Sequence, residues 1–363
     1  MLYHLLVSFR DQLDTLRLVE FITVRTAMAS LTAFALSLLL GPWFIRRLRA
    51  FQVGQIVRTD GPATHKPKEG TPTMGGVLIL TAVILGTLLW ANLTNPYVWI
   101  ATLATAAFGA IGFVDDYLKI TRRSHHGLLP RYKFAAQVIV AVAVGVALLQ
   151  LAAQKPELYN TRLIFPFFKN LIPDLGWAYV LFGVLVLVAA TNTVNLTDGL
   201  DGLAISTFAV SAVTYTALAY VTGHRALAEY LDLVHFPPTA EVTIVCGALV
   251  GASLGFLWWN AHPADVFMGD VGSLGLGGAL GTVALLTKQE LLLPIVGGVF
   301  VIEGASVIVQ VLSFRFRGRR VFRMAPLHHH FELIGWKEPK IITRFQILAV
   351  IFAVMSLTTL KLR

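Results

Sequence analysis

The sequence has few charged residues and a single cysteine. Asp, Glu, Lys and Arg together make up 13% of its 363 residues, about half the share that is usual in globular proteins. So few charges could not cover the surface of a soluble enzyme of this length, which nearly excludes that class. The lone Cys246 excludes an intrachain disulfide bond and any metal site built from several cysteines.

Hydrophobic residues, by contrast, make up 56% of the chain, and the mean hydropathy is +0.71. A disordered chain is excluded, because such chains are poor in Leu, Ile, Val and Phe. Apolar runs long enough to cross a membrane, roughly 17–25 residues each, lie near 21–45, 72–94, 97–117, 132–152, 176–194, 199–222, 240–259, 267–287, 290–314 and 341–360. Ten such runs in succession could not all be buried in the core of one soluble protein. We therefore predict an all-α, polytopic integral membrane protein with about ten transmembrane helices, forming a single domain over residues 1–363.

The basic residues are distributed unevenly among the loops. Lys and Arg outnumber Asp and Glu by 29 to 20, which would suggest nucleic acid in a soluble protein but marks cytoplasmic loops in a membrane protein. The loops after spans one, three and nine hold 18 of them, and the opposite face holds about nine, including Lys169. The 18 are Arg46, Arg47, Arg49, Arg58, Lys66, Lys68, Lys119, Arg122, Arg123, Arg131, Lys133, Arg315, Arg317, Arg319, Arg320, Arg323, Lys337 and Lys340. We predict that these loops are cytoplasmic, that both termini lie on the outer, periplasmic side, and that nucleic acid is not a partner.

A pair of carboxylates, Asp115 and Asp116, closes the apolar run of the third span. Two acidic groups at the C-terminal end of a helix oppose the helix dipole, which favours cations there. Polar groups at membrane depth are costly and therefore suggest function. The alternative is a solvated helix end that Lys119 neutralises.

The segment 191–204 places Asn192, Asn195, Asp198 and Asp201 at every third position. In a helix, or a helix broken at a glycine, these four side chains would follow one stripe. The alternative is a tight Asn/Asp/Gly turn between two spans. Such a turn needs one or two of these residues, so four in register favour a functional interpretation.

The segment 258–278 brings Asn260, His262, Asp265, Phe267 and Asp270 into a short connection before a glycine-rich run. The glycines and Ser273 predict mainly close helix packing, although backbone amides at that helix start could also face phosphate oxygens. A single phenylalanine would ordinarily belong to the core. For Asp270, the functional and structural interpretations are equally open.

Three consecutive histidines, His328, His329 and His330, follow an arginine-rich run. Consecutive residues cannot all point one way, so a three-histidine zinc site is less favoured than the composition suggests. Imidazoles and arginines suit phosphate oxygens better, although the arginines could serve only as a topology signal.

Under the predicted topology all four clusters lie at cytoplasmic ends of spans. Acidic oxygen ligands beside basic loops are typical of a magnesium–phosphate site, and phosphoryl transfer needs mainly positioning and charge neutralisation. A secondary transporter would also use acidic groups within the membrane, but here Glu303 is the main polar group away from the cytoplasmic face. A non-catalytic scaffold would need none of these carboxylates.

At these residues the chain resembles the phospho-N-acetylmuramoyl-pentapeptide-transferase family, within the polyprenyl-phosphate N-acetylhexosamine-1-phosphate transferases. The resemblance rests on motifs at 61–76, 113–119, 192–204, 260–278 and 325–336. It implies transfer of phospho-N-acetylmuramoyl-pentapeptide from its UDP carrier to undecaprenyl phosphate in the bacterial inner membrane. The products are lipid I and UMP, Mg²⁺ is required, and family members are typically homodimers. A transferase that uses a UDP-N-acetylhexosamine is the alternative within the superfamily.

The resemblance also implies roles by motif position. Asp270 would bind Mg²⁺, Asp115 would deprotonate the lipid phosphate, and Asp116 would support the metal site. Asn195, Asp198 and Asp201 would line the nucleotide site. Gly199 and Leu200 would lie beside the uracil, on which Phe267 would stack. The residues implied to contact or orient phosphates and sugar are Lys68, Lys119, Asn260, His328, His329 and His330.

Overall fold

The structure is a computed structural model that describes residues 1–9, 14–51, 68, 70–122, 127–168 and 170–361. Within these ranges the chain forms helices and no β-strand, with one isolated antiparallel bridge between Arg162 and Asp174. The α-helices are Leu2–Ser8 (α1), Ile22–Ala50 (α2), Gly76–Trp90 (α3), Pro96–Thr121 (α4), Pro130–Gln154 (α5), Ala178–Thr197 (α6), Leu203–Gly223 (α7), Arg225–Tyr230 (α8), Thr239–Asn260 (α9), Gly269–Leu286 (α10), Leu293–Val296 (α11), Gly298–Arg317 (α12), Leu327–Leu333 (α13) and Glu338–Thr358 (α14). Of the predicted motifs, 61–67 lie outside the described residues, as do Arg58, Lys66, Arg123 and Lys169.

Each predicted span overlaps one main helix of the structure, and the span at 290–314 also contains a short one. In the described part of the chain, nine helices are long and apolar enough to cross a membrane. The remaining span, predicted at 72–94, forms the shorter helix α3 of 15 residues. The prediction of an all-α, polytopic membrane protein is therefore confirmed.

The predicted span 290–314 begins later than expected. Residues Glu290–Leu292 form a 3₁₀ turn, α11 follows, and the long helix α12 starts only at Gly298. The amide of Gly297 closes α11 by donating to the carbonyl of Leu293 at 2.7 Å. Because of this break, Glu303 lies in the second turn of α12.

Helix α10 forms the centre of the bundle, since 89% of its 18 residues are buried. Two glycines allow neighbouring helices to approach it closely. A Cβ atom on Gly76 of α3 would lie 2.0 Å from the Gly272 nitrogen, and one on Gly112 of α4 would lie 2.1 Å from the Asp270 carbonyl oxygen. The prediction that the glycine-rich run serves close packing is confirmed, and this packing places Asp270 beside the end of α4.

A second, smaller hydrophobic cluster joins α7, α12 and α14 near the turn between α6 and α7. Its buried members are Leu200, Leu203, Val299, Ile341, Ile342, Phe345 and Ala349. Leu327 and Phe331 of α13 pack against it. The turn is therefore held in place by apolar packing on one side.

Candidate active site

The three acidic residues predicted to be catalytic lie together where α4 ends and α10 begins. Asp115 and Asp116 belong to the last two turns of α4, and Asp270 belongs to the first turn of α10. One carboxylate oxygen from each lies within 4.8 Å of the others. The side chains of Asp115, Asp116 and Asp270 are only 4%, 3% and 17% exposed. Three buried carboxylates this close require cations beside them.

Two lysines supply that positive charge. Lys119 Nζ lies 2.6 Å from Asp115 Oδ2, 3.2 Å from Asp116 Oδ1 and 2.7 Å from Asp270 Oδ2. Lys133 Nζ, from the first turn of α5, also donates to Asp270 Oδ2 at 2.7 Å. In the sequence Lys133 is only one of the basic residues that indicate topology, and its place in the site is seen first in the structure.

The remaining carboxylate oxygens have different partners, which distinguishes the three residues. Asp115 Oδ1 accepts from the amide of Leu128 at 2.7 Å, on the loop side. Asp116 Oδ2 accepts from the amide of Val271 at 3.2 Å, at the start of α10. Asn195 Nδ2 donates to Asp270 Oδ1 at 2.8 Å and to Ser273 Oγ at 2.7 Å. Ser273 therefore supports the site as well as helix packing.

A second charged cluster forms around Asp201. Lys68 Nζ bridges Asp201 Oδ1 at 2.7 Å and Glu338 Oε1 at 2.6 Å. His262 Nδ1 lies 3.1 Å from Asp201 Oδ2 and 3.5 Å from Glu338 Oε2. Glu338 Oε1 also accepts from the amide of Asp201 at 2.8 Å. Glu338 thus fixes both the side chain of Lys68 and the backbone of the turn.

The predicted stripe of four polar side chains is divided between these clusters. Helix α6 ends at Thr197, so Asp201 lies beyond it in the turn. Asn195 joins the carboxylates, whereas Asn192 Nδ2 donates to Gln137 Oε1 at 2.7 Å. Asp198 caps α6, and burial together with the negative charges of Asp270, Asp116 and Asp201 raises the pKa of Asp198 to about 8. The helix is thus broken between Thr197 and Leu203, as the broken-helix alternative predicted, but the four side chains do not all face one cluster.

Asn260 and Phe267 lie in the segment that faces this turn. Asn260 Oδ1 accepts from the amide of Gly202 at 3.0 Å, and its Nδ2 donates to the carbonyl of Val266 at 2.8 Å. Gly202 has a left-handed backbone with φ of 76°, which begins α7. Phe267 is only partly buried, although its neighbours Val266 and Met268 are 0% and 1% exposed. Phe267 is thus accessible in part, between two buried neighbours.

The three histidines have three different sets of partners. His328 Nδ1 lies 3.1 Å from Glu303 Oε2, His329 Nδ1 lies 2.7 Å from Glu332 Oε2, and His330 Nδ1 accepts from the amide of Arg323 at 3.1 Å. The prediction that they do not all point one way is confirmed. In the described part of the chain, no group of residues able to hold a metal includes them.

Lys133, Glu338 and Glu303 are the site-related residues that sequence reasoning did not identify as such. The one available signal was at Glu338, an acidic residue directly before Pro339 in the first turn of α14, a pattern that marks a helix start. The structure brings Asp115, Asp116, Asp270, Asn195 and Lys119 into one cluster. It brings Lys68 and Asp201 into the other.

Comparison with known proteins gives a consistent family. A family model described as glycosyl transferase family 4 matches residues 98–288, and a phospho-N-acetylmuramoyl-pentapeptide-transferase signature matches residues 68–80. The phospho-N-acetylmuramoyl-pentapeptide-transferase of Koribacter versatilis is 56% identical over 96% of this chain and 95% of the relative. That of Desulfatibacillum aliphaticivorans is 57% identical, and that of Citrifermentans bemidjiense 52%, each over 100% of both chains. Since these relatives match over nearly the whole length, the chain belongs to the phospho-N-acetylmuramoyl-pentapeptide-transferase family.

Proposed function

We propose that the carboxylate cluster and the Asp201 cluster are the two halves of one active site for the reaction of this family. The enzyme transfers phospho-N-acetylmuramoyl-pentapeptide from its UDP carrier to undecaprenyl phosphate, which gives lipid I and UMP in peptidoglycan synthesis. The observation that carries the site assignment is the meeting of Asp115, Asp116 and Asp270 at adjoining helix ends, within 4.8 Å of one another.

The donor set at these helix ends fits Mg²⁺, the cofactor we propose. Carboxylate oxygens are its preferred protein ligands, and it commonly binds through one or two of them together with substrate phosphates. The site already attracts positive charge, because two ammonium groups bridge the same oxygens. Asp270 would hold the ion, with Asp116 in support. When bound, the metal supplies Lewis-acid stabilisation of the departing UMP phosphate.

The protein's own side chains supply the remaining chemistry. Asp115 accepts the proton of the lipid phosphate and leaves a dianionic nucleophile. The ammonium groups of Lys119 and Lys133 lie at the carboxylate cluster. From there they neutralise the phosphates of the two substrates. Asn195 orients Asp270 through the hydrogen bond to Oδ1. The assignment of Asp115 is supported by its place at the loop side of the cluster, where Oδ1 accepts from the amide of Leu128.

The Asp201 cluster binds the uridine part of the donor. Phe267 stacks on the uracil, a contact worth roughly 1–3 kcal/mol per base, and its partly exposed ring supports this role. Lys68, Asp198 and Asp201 line the pocket together with Asn195, while Gly199 and Leu200 form its backbone edge. Asn260 orients the turn through Gly202. We further propose that the three histidines contact or orient the phosphates and the sugar. Membrane lipids surround the bundle, and the enzyme forms the homodimer that is typical of the family.

We also propose that the site faces the cytoplasm and that both termini lie outside. The uneven distribution of basic residues supports this orientation. Single cysteines at Gln154 and Arg319, in a Cys246→Ser background, test it with an impermeant thiol reagent on intact cells. Both positions are exposed, and Arg319 avoids the left-handed backbone of Gly318. We expect labelling only at position 154, and the reverse pattern would contradict both the orientation and the location of the site.

The proposed reaction is tested with radiolabelled donors. Purified enzyme with undecaprenyl phosphate should form labelled lipid from UDP-N-acetylmuramoyl-pentapeptide, with release of UMP. UDP-N-acetylglucosamine should give no lipid product at the same concentration. Lipid product from the second donor alone would assign the chain to another branch of the superfamily. Movement of the intact donor into vesicles without lipid product would instead favour a transporter.

A further inference from the structure

Glu303, which has no role in the proposed function, forms a buried pair with His328. Both side chains are 0% exposed, although Glu303 belongs to a membrane-spanning helix. Glu303 Oε2 lies 3.1 Å from His328 Nδ1 and 3.5 Å from the amide nitrogen of the same residue. A buried carboxylate without a partner would be strongly unfavourable. The pair therefore fixes both the ring and the backbone of His328.

The opposite edge of the His328 ring lies against Gly199. A Cβ atom on Gly199 would be 2.2 Å from Nε2 and 2.9 Å from Cε1 of the imidazole. Nε2 itself is buried and has no hydrogen-bond partner among the described residues. The ring thus fills the space behind Gly199, and only a glycine leaves room for it there.

Two further contacts connect this pair to the nucleotide turn. Gly304, the neighbour of Glu303, packs so closely on α6 that a Cβ atom there would be 2.6 Å from Thr193 Cγ2. Leu327, the neighbour of His328, packs on the cluster that contains Leu200. Helices α12 and α13 are therefore both attached to the segment that runs from the end of α6 through the turn.

The turn has other attachments on both sides of Gly199, and before it Asp198 accepts from the amide of Gly269. Glu338 accepts from the amide of Asp201, and Asn260 accepts from the amide of Gly202. Among the described residues, His328 is the polar side chain that backs the turn at Gly199 itself, next to Asp198. Loss of this support would leave Gly199 itself without a side chain behind it, between the separately held Asp198 and Asp201.

We propose that Glu303 and His328 are positioning residues for the uridine-binding turn 198–201: Glu303 holds the imidazole, and the imidazole holds Gly199 from behind. This inference rests on the proposed assignment of the turn to the uridine site. His328 then acts through Gly199 and does not contact the substrate, which leaves direct contacts on this loop to His329 and His330.

The test compares Glu303→Leu with Glu303→Gln in the purified full-length enzyme, with UMP and UDP-N-acetylmuramoyl-pentapeptide as probes. Glutamine keeps an oxygen that can accept from Nδ1, whereas leucine removes it. We expect Glu303→Leu to raise the Kd of both probes roughly tenfold to a hundredfold, and to raise KM far more than it lowers kcat. Glu303→Gln should stay close to the unaltered enzyme. Amide hydrogen exchange over residues 198–203 should accelerate only in Glu303→Leu.

Two comparison variants separate positioning from general instability. Glu241 is another buried glutamate in a spanning helix, paired with Arg25 at 2.7 Å. Glu241→Leu should lower the melting temperature and leave the Kd unchanged. Phe267→Ala should raise the Kd without changing exchange in the turn. If Glu303→Leu loses melting temperature but keeps both Kd values and the exchange pattern, the pair is merely structural and the inference is wrong.

A second measurement does not depend on the folding of Glu303→Leu. Gly199→Ala should weaken UMP binding, because its methyl group displaces the turn from the imidazole. The same change in a His328→Ala background should cost much less, since the clashing atoms are gone. Equal penalties in the two backgrounds would contradict the inference. If the unaltered enzyme bound neither UMP nor the UDP substrate, the proposed function would fail instead.

Discussion

Asp270→Asn is expected to abolish transfer, with activity reduced on the order of 10³-fold or more, because several kcal/mol of charge stabilisation depend on this carboxylate. The substitution keeps the size of the side chain but removes the anionic oxygen that Lys119 and Lys133 both contact at 2.7 Å. Initial rates of lipid formation, measured over a titration of Mg²⁺ to saturation, check this. Raised Mg²⁺ should restore little, since the missing group is a ligand.

The matched control is Asp265→Asn, in the same connecting segment. The side chain of Asp265 is 56% exposed, and its contact with Arg49 is long, at 3.6 Å. We expect this variant to retain full activity. Melting temperatures of both proteins show whether the fold survives. Substantial activity in Asp270→Asn, or its recovery at high Mg²⁺, would remove Asp270 from the metal site.

Asp115→Asn should instead give a pH-dependent defect of about 10²–10⁴-fold at low pH, the usual cost of losing a general base. The second ionisation of a phosphate monoester has a pKa of about 6. Below that pH the lipid phosphate carries a proton that only a base can remove, and above it the dianion forms unaided. The deficit should therefore shrink as pH rises from roughly 6 to 9. The measurement is a pH–rate profile at saturating Mg²⁺, with Asp270→Asn as the comparison that should not recover.

The opposite result has a clear meaning. If Asp115→Asn is equally inactive at every pH while Asp270→Asn recovers in alkali, the two assignments are exchanged. If both variants keep normal activity, the chemistry lies elsewhere and the site assignment fails. Lysines contact both carboxylates, but Asp115 also accepts from the amide of Leu128 whereas Asp270 also accepts from Asn195, and this difference is the structural reason to expect different behaviour.

The sequence was sufficient to predict the elements that depend on local composition. Apolar runs of membrane length predicted the spans, the paired acids at the end of one run singled out Asp115 and Asp116, and the family resemblance added Asp270. An apolar run of membrane length and a charged group at its end can both be recognised in the sequence before the fold is known. The location of all four clusters at the cytoplasmic face remains a prediction from the basic loops.

Other residues could not be recognised because their roles arise from packing between distant helices. Lys133 is one basic residue among many in a basic loop, and only the approach of α5 to α10 brings it to Asp270. Glu338 reaches Asp201 across 137 positions of sequence. The regular spacing of Asn195, Asp198 and Asp201 suggested one face of a helix or of a broken helix. The helix α6 ends at Thr197, and the turn that follows places Asp201 in the other cluster.

The shortness of α3 has a consequence for the depth at which the two substrates meet. A helix of 15 residues is about 22 Å long, less than the ~30 Å of a hydrocarbon core. Its site end is fixed, because the amides of Gly75 and Gly76 donate to the carbonyls of Phe267 and Met268 at 2.8 Å. Short spans are commonly accommodated by local thinning of the bilayer or by polar groups that reach toward the helix end. We therefore expect the lipid phosphate to reach Asp115, six residues before the end of α4, without leaving its polar surroundings, while its isoprenoid tail stays in the hydrocarbon.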